Sequence, residues 1–78
     1  MKAFSDLTEQ EIIALAISSE EDDARSYMGF ANALMQTYPA SSKVFMEMAQ
    51  EEYEHRDRLT ALYKIKFGEF IPLIRRAE

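Results

Sequence analysis

The chain has 78 residues, 14 acidic against 9 basic side chains for a net charge of −5, 47% hydrophobic residues and no cysteine, enough for one small domain over residues 1–78. Without cysteine there are no disulfides, thiolate zinc sites or redox CxxC pairs, so a domain that buries only about 60% of its unfolded surface has oligomerisation or a carboxylate/imidazole metal site as its remaining staples. The acidic balance argues against nucleic acid as a partner, no apolar run approaches the roughly 18 to 20 residues of a spanning helix, and the Met1-Lys2-Ala3-Phe4 start has no signal-peptide core; a cytoplasmic setting is expected.

Thr8 followed by Glu11 reads as a capping box, in which hydroxyl and carboxylate satisfy orphan amides at a helix start, with Leu7 and Ile12 as the matching staple. A first helix is predicted over about 8–37. Only Gly29 opposes it, at a cost of about 1 kcal/mol against Ala. Tyr38-Pro39-Ala40 is a short connection, and Pro39 suits the first turn of a following helix because its missing amide would be unpaired there anyway. The second helix is predicted over about 40–67, closed by Gly68, with Lys64 and Lys66 placed favourably in its last turn. The tail from Glu69 to Glu78 carries Phe70, Ile71, Leu73 and Ile74 around Pro72, and is expected to pack back on the hairpin or to form a short third helix. The fold class is therefore all-α: two long antiparallel helices, each about 40–45 Å, in a helical hairpin.

Apolar spacing supports a bundle. Ile13, Ile17, Glu20, Ala24, Tyr27, Ala31 and Leu34 alternate steps of four and three, and so do Phe45, Met48, Glu52, His55, Leu59 and Leu62. Three ionisable residues thus interrupt two apolar seams. A carboxylate in a bundle core costs several kcal/mol (about 3–5 on loss of a partner) unless a partner or a metal neutralises it. Folding back at residues 38–39 brings Glu20 close to level with His55, with Glu52 about one turn away.

Glu52-Tyr53-Glu54-His55 is a Glu-x-x-His pair whose i, i+3 spacing puts carboxylate and imidazole on one helical face. Hard oxygen donors with one imidazole and no thiolate suit iron or manganese, and zinc can substitute by affinity. A ferritin-like di-metal site takes one Glu from each of two helices and a Glu-x-x-His from each of two others. One hairpin here holds half of that set, so an antiparallel pair of hairpins closing a four-helix bundle around two metals is expected. Glu21, Asp22 and Asp23 beside Glu20, and Glu51 and Glu54 beside Glu52, form acidic runs; such runs are usually solvated faces, with Glu21, Glu51 and Glu54 the candidates for accessory metal positions. Glu51, spaced i, i+4 from His55, competes with Glu52 as the ligand. Met28, Met35, Met46 and Met48 read as gap-filling core or interface residues rather than ligands. Glu47, Arg56, Asp57 and Arg58 read as outward, salt-bridged charges.

Glu20 with Tyr27 seven residues later, followed by Glu52-x-x-His55, resembles the first half of a ferritin/rubrerythrin-like di-iron protein, over nearly the whole chain. The stretches Leu7-Thr8-Glu9-Gln10-Glu11, Ala16-Ile17-Ser18-Ser19-Glu20-Glu21, Tyr38-Pro39-Ala40, and Phe67-Gly68 with Ile71-Pro72-Leu73-Ile74-Arg75-Arg76 resemble the erythrin-type N-terminal domain of bacterial membrane-bound ferritins, whose remainder is a vacuolar-iron-transporter-like domain. The resemblance implies iron ligation by Glu20, Glu52 and His55, a redox-active or metal-adjacent Tyr27, and oxidation of ferrous iron by O2 or H2O2 for detoxification, storage or export. Two features depart from the pattern. A second hairpin is missing, which implies a homodimer or higher homo-oligomer, as in two-helix ferritin-like proteins packaged in encapsulin shells. Rubredoxin-type cysteines are also missing, which argues against rubrerythrin-style peroxidase turnover. The rival expectation is a non-catalytic module in which metal drives dimerisation or reports iron level.

Overall fold

The computed structural model describes residues 6–74. Residues 1–5 at the start of the chain, and the Arg75-Arg76 dipeptide with the last two tail residues, lie outside the described residues.

Helix α1 (Glu9–Leu34) begins at the expected capping box: the Glu11 amide donates to Thr8 Oγ1 at 3.1 Å, and the Thr8 amide donates to Glu11 Oε1 at 3.1 Å. Its end comes at Leu34 rather than near residue 37. The residue before a proline is pushed out of the α region by the pyrrolidine ring, and Tyr38 accordingly sits at φ −134°, ψ 68°. Residues 35–37 form the turn, closed by the Tyr38 amide donating to Leu34 O at 2.7 Å. Helix α2 (Pro39–Phe67) starts with the proline in its first turn and stops at Gly68, whose φ of +96° is a conformation that costs only glycine nothing.

The 29 residues of α2 correspond to about 43 Å at 1.5 Å per residue, and the molecule's longest dimension is 44 Å. The two helices run side by side along their whole length, and no strand occurs among the described residues. Small residues set their closest approach: Ala24, Ala31 and Ala49 are all but inaccessible to solvent. Near the turn the buried Ser42 Oγ donates to Ala31 O at 2.7 Å, tying the helices together through a polar group that burial would otherwise penalise.

At the open end the core is larger. Ile13, Ala14 and Ile17 of α1 enclose Tyr63 of α2, which is fully buried and receives a hydrogen bond from Gln10 Nε2 at 2.8 Å. Leu59, Phe67, Ile71 and Ile74 pack against that cluster. Of the two fates expected for the tail, packing back is what occurs, and residues 68–74 are not helical. Ile71, Pro72 and Leu73 of the tail line a cleft with Ile17, Ser18, Glu21, Arg56, Asp57 and Thr60 on one side of the hairpin, while Phe70 and Leu73 stay largely exposed. No helix among the described residues is long and apolar enough to cross a membrane.

Candidate metal centre

The contact line between the helices positions the site. Glu20 lies four residues before Ala24 on α1, and Glu52 lies three after Ala49 on α2. At about 100° per residue, both steps rotate the side chain by roughly 40–60° in the same sense from the contact line. An antiparallel pair is related by a two-fold axis through its broad face, so equal rotations land on the same face. His55, one turn beyond Glu52, follows it there. This face is opposite the tail.

The three side chains converge. Glu20, Glu52 and His55 each offer a ligand atom, all within 4.8 Å of one another. His55 Nδ1 is 3.5 Å from Glu20 Oε2. Glu20 Oε2 is shut off from solvent and has no hydrogen-bond partner, although its side chain as a whole is 24% exposed. Burying an acceptor with no donor is costly, and a cation answers that cost directly.

Electrostatics point the same way. The Glu52 carboxyl is pushed up from 4.5 to about 7, first by the Glu20 carboxyl facing it within hydrogen-bonding reach, then by burial, then by the negative charges of Glu20 and Asp23, with His55 opposing. Two carboxylates facing each other cannot both ionise cheaply, so one keeps a proton in the position a metal would take. The donor set of two carboxylates and one imidazole fits iron or manganese. Both the set and the orphaned oxygen therefore fit a hard cation.

Glu52 rather than Glu51 shares the cluster. Glu51 and Glu54 are exposed and stand outside it, while Glu21 turns to the tail face and pairs with Arg56 at 3.8 Å. Asp22 pairs with Arg25. Tyr27 is half-buried on the metal side, where its ring stacks on Phe45 at 6.2 Å and meets Phe30 edge-on at 6.5 Å. Met28 and Met48 are half-buried, whereas Met35 and Met46 are exposed and fill no gap within a single hairpin.

The seam is only half closed. Ala24 and Ala31 face α2, but the His55 side chain is 49% exposed and Leu62 is 42% exposed. A heptad row describes a surface buried on both flanks, and a lone hairpin covers one.

Two residues stand closer to the site than the sequence reading placed them. Asp23, read as part of the acidic run beside Glu20, adds negative charge at Glu52. Arg58, expected to be an outward, salt-bridged charge, makes no ion pair among the described residues and instead lines the cleft beside Glu20, His55 and Leu59. Its i+3 spacing from His55 was the available signal.

The family model described as Rubrerythrin matches residues 11–78, a span that includes both helices and all three residues of the cluster. No curated protein and no solved structure matches the chain.

Proposed function

The chain belongs to the rubrerythrin family, and on that premise we propose that it is a di-iron carboxylate ferroxidase domain whose centre is completed by a second copy of the hairpin. The observation that carries this reading is the orphaned Glu20 Oε2 held among Glu52 and His55. One hairpin supplies half of the ligands a ferritin-like pair of metals takes. Apolar side chains on the same side of the hairpin as the site support pairing: Ile12 and Phe30 on α1, and Val44 and Leu62 in line with His55 on α2, are each more than 40% exposed. A second copy would bury that surface, whereas the tail of the same chain lies on the opposite side.

Glu20, Glu52 and His55 would hold the iron, which supplies the one-electron chemistry that reduces O2 or H2O2. Ferrous iron is the substrate. The two carboxylates bring the negative charge that binds a cation and favours its ferric form. Glu52 gives up its shared proton as the cation arrives. His55 is a terminal nitrogen donor, and the stacked Tyr27 ring forms an apolar wall toward the turn. Manganese or zinc would occupy the same donors.

Within the family we propose the erythrin-type domain of membrane-bound ferritins and the encapsulated two-helix proteins as functional counterparts. The setting is then cytoplasmic, either at a membrane face beside a fused iron-transporter domain or inside an encapsulin shell. The test is aerobic oxidation of added ferrous iron followed by ferric absorbance, with sedimentation of the same samples. Glu20→Ala and Glu52→Ala should abolish oxidation above the uncatalysed rate, and ferrous iron should shift the wild-type chain toward the dimer. Unchanged rates in both variants would refute the ligand assignment. Iron-driven association without oxidant consumption would mark a dimerisation or sensing module instead.

A further inference from the structure

We propose that the hairpin associates beyond the face-to-face pair, by a head-to-tail contact in which the nearly uncharged turn of one copy covers the open end of another. The inference goes beyond the metal reading of Glu20, Glu52 and His55, and uses the two ends of the hairpin rather than the side that carries the site.

The pairing proposed above accounts for Ile12, Phe30, Val44 and Leu62. It leaves Met35, Tyr38 and Met46 at the turn, each more than 40% exposed, and Ile65 and Phe70 at the open end, 84% and 81% exposed. Met35 and Tyr38 belong to the reversal between the helices. Met46, three residues before the buried Ala49, rotates off the contact line in the opposite sense to Glu52, three residues after it. Ile65 is two residues past the buried Tyr63, about 200° round the helix, and so points away from α1. A molecule 44 Å long therefore keeps uncovered apolar surface at both of its ends.

Composition and charge select what covers the turn. Residues 26–46 hold a single charged side chain, Lys43, where the chain's average of 29% would place about six. An end so poor in charge gains by leaving water, and its flexible methionines adapt to an irregular surface. The open end, residues 6–12 and 62–70, carries Asp6, Glu9, Glu11 and Glu69 against Lys64 and Lys66. Those two cations stand beside Glu69 and Glu9, at 3.9 and 2.6 Å, which leaves the acids in excess. Turn against turn would set Lys43 near its own copy, and open end against open end would join two acidic surfaces. Turn against open end is the combination whose charges attract. Such a contact is heterologous: it repeats from copy to copy, and closes into a ring or continues as a filament.

The experiment is sedimentation velocity of the full chain with Mn(II) over a range of protein concentrations, with metal uptake read from the loss of the free Mn(II) signal. Wild-type protein should form species larger than a dimer, in a share that grows with concentration. Met46→Lys and Ile65→Lys change exposed helix positions, so each should keep the wild-type far-UV circular dichroism and Mn(II) uptake but stop at the dimer. The first keeps an intact open end and the second an intact turn, so an equimolar mixture should again exceed the dimer although neither variant does alone. Association of either variant at the wild-type level, or a mixture that stays dimeric, overturns the proposal. A wild-type chain that never exceeds the dimer also overturns it, while leaving the paired metal site standing. If that dimer floats with phosphatidylcholine vesicles, the exposed ends meet lipid instead. A wild-type chain that takes up Mn(II) as a monomer overturns this proposal and the face-to-face pairing together.

Discussion

His55 Nδ1 stands 3.5 Å from Glu20 Oε2, an oxygen closed to solvent and without a hydrogen bond, so the two helices meet at a point where metal-free packing leaves an acceptor unsatisfied. Metal should relieve that deficit. At a hundredfold excess over Kd, a ligand that binds only the folded state adds about 2.7 kcal/mol, worth about 10–20 °C in Tm for a domain of this size. Scanning calorimetry with ferrous iron under anaerobic conditions, or with Mn(II), should show a rise of that order in the wild-type chain. Glu20→Gln, Glu52→Gln and His55→Ala should each lose it, and Glu20→Gln should melt no lower than wild type without metal.

Stability without metal should fall as pH rises. Glu52 titrates at 4.5 when the chain is unfolded and at about 7 when it is folded. Between those values the native state binds more protons than the unfolded one, so its contribution is fully present below 4.5 and is lost as pH climbs through 7. Urea unfolding of the metal-free protein from pH 4.5 to 8 should reveal the slope, and Glu52→Gln should flatten it. A metal held by Glu52 would displace the same proton, so Mn(II) affinity should weaken as pH drops below about 7.

The tail contributes to stability without contributing to the site. Ile71 packs partly buried against the Ile13, Ala14, Ile17 and Tyr63 cluster, so Ile71→Ala should cost about 1–2 kcal/mol, less than a fully buried truncation. Because the tail lies on the side opposite Glu20, Glu52 and His55, Mn(II) affinity should not change. A weakened metal affinity would mean that the two faces are coupled.

Gly29 has no structural reason to be glycine. A Cβ built there meets nothing within 4 Å, and its φ is an ordinary helical one. Gly29→Ala should stabilise the chain by about 0.5–1 kcal/mol by removing freedom from the unfolded state. Urea denaturation at unchanged m-value is the check.

Local signals carried the elements. Thr8 and Glu11 announced the start of α1, Pro39 the start of α2 and Gly68 its end, because capping and backbone restriction act within a few residues. The exception, an α1 that stops at Leu34, follows from a chain reversal that needs residues 35–37 as well as Tyr38. Glu20, Glu52 and His55 were legible as a group because acids at apolar positions on two helices of similar length come level when the chain folds back.

What the linear order of residues determined by itself was therefore the helices, the reversal and the three side chains that meet across it. The grouping of Glu52 rather than Glu51 with Glu20 and His55, the isolation of one Glu20 oxygen, the position of Arg58 beside the cleft and the placement of the tail on the far side were decided only by the tertiary structure. Helical periodicity assigns a residue to a sector of the helix surface; which atoms lie within ångströms of each other, and which lose water, depends on how closely Ala24, Ala31 and Ala49 let the two backbones approach and turn.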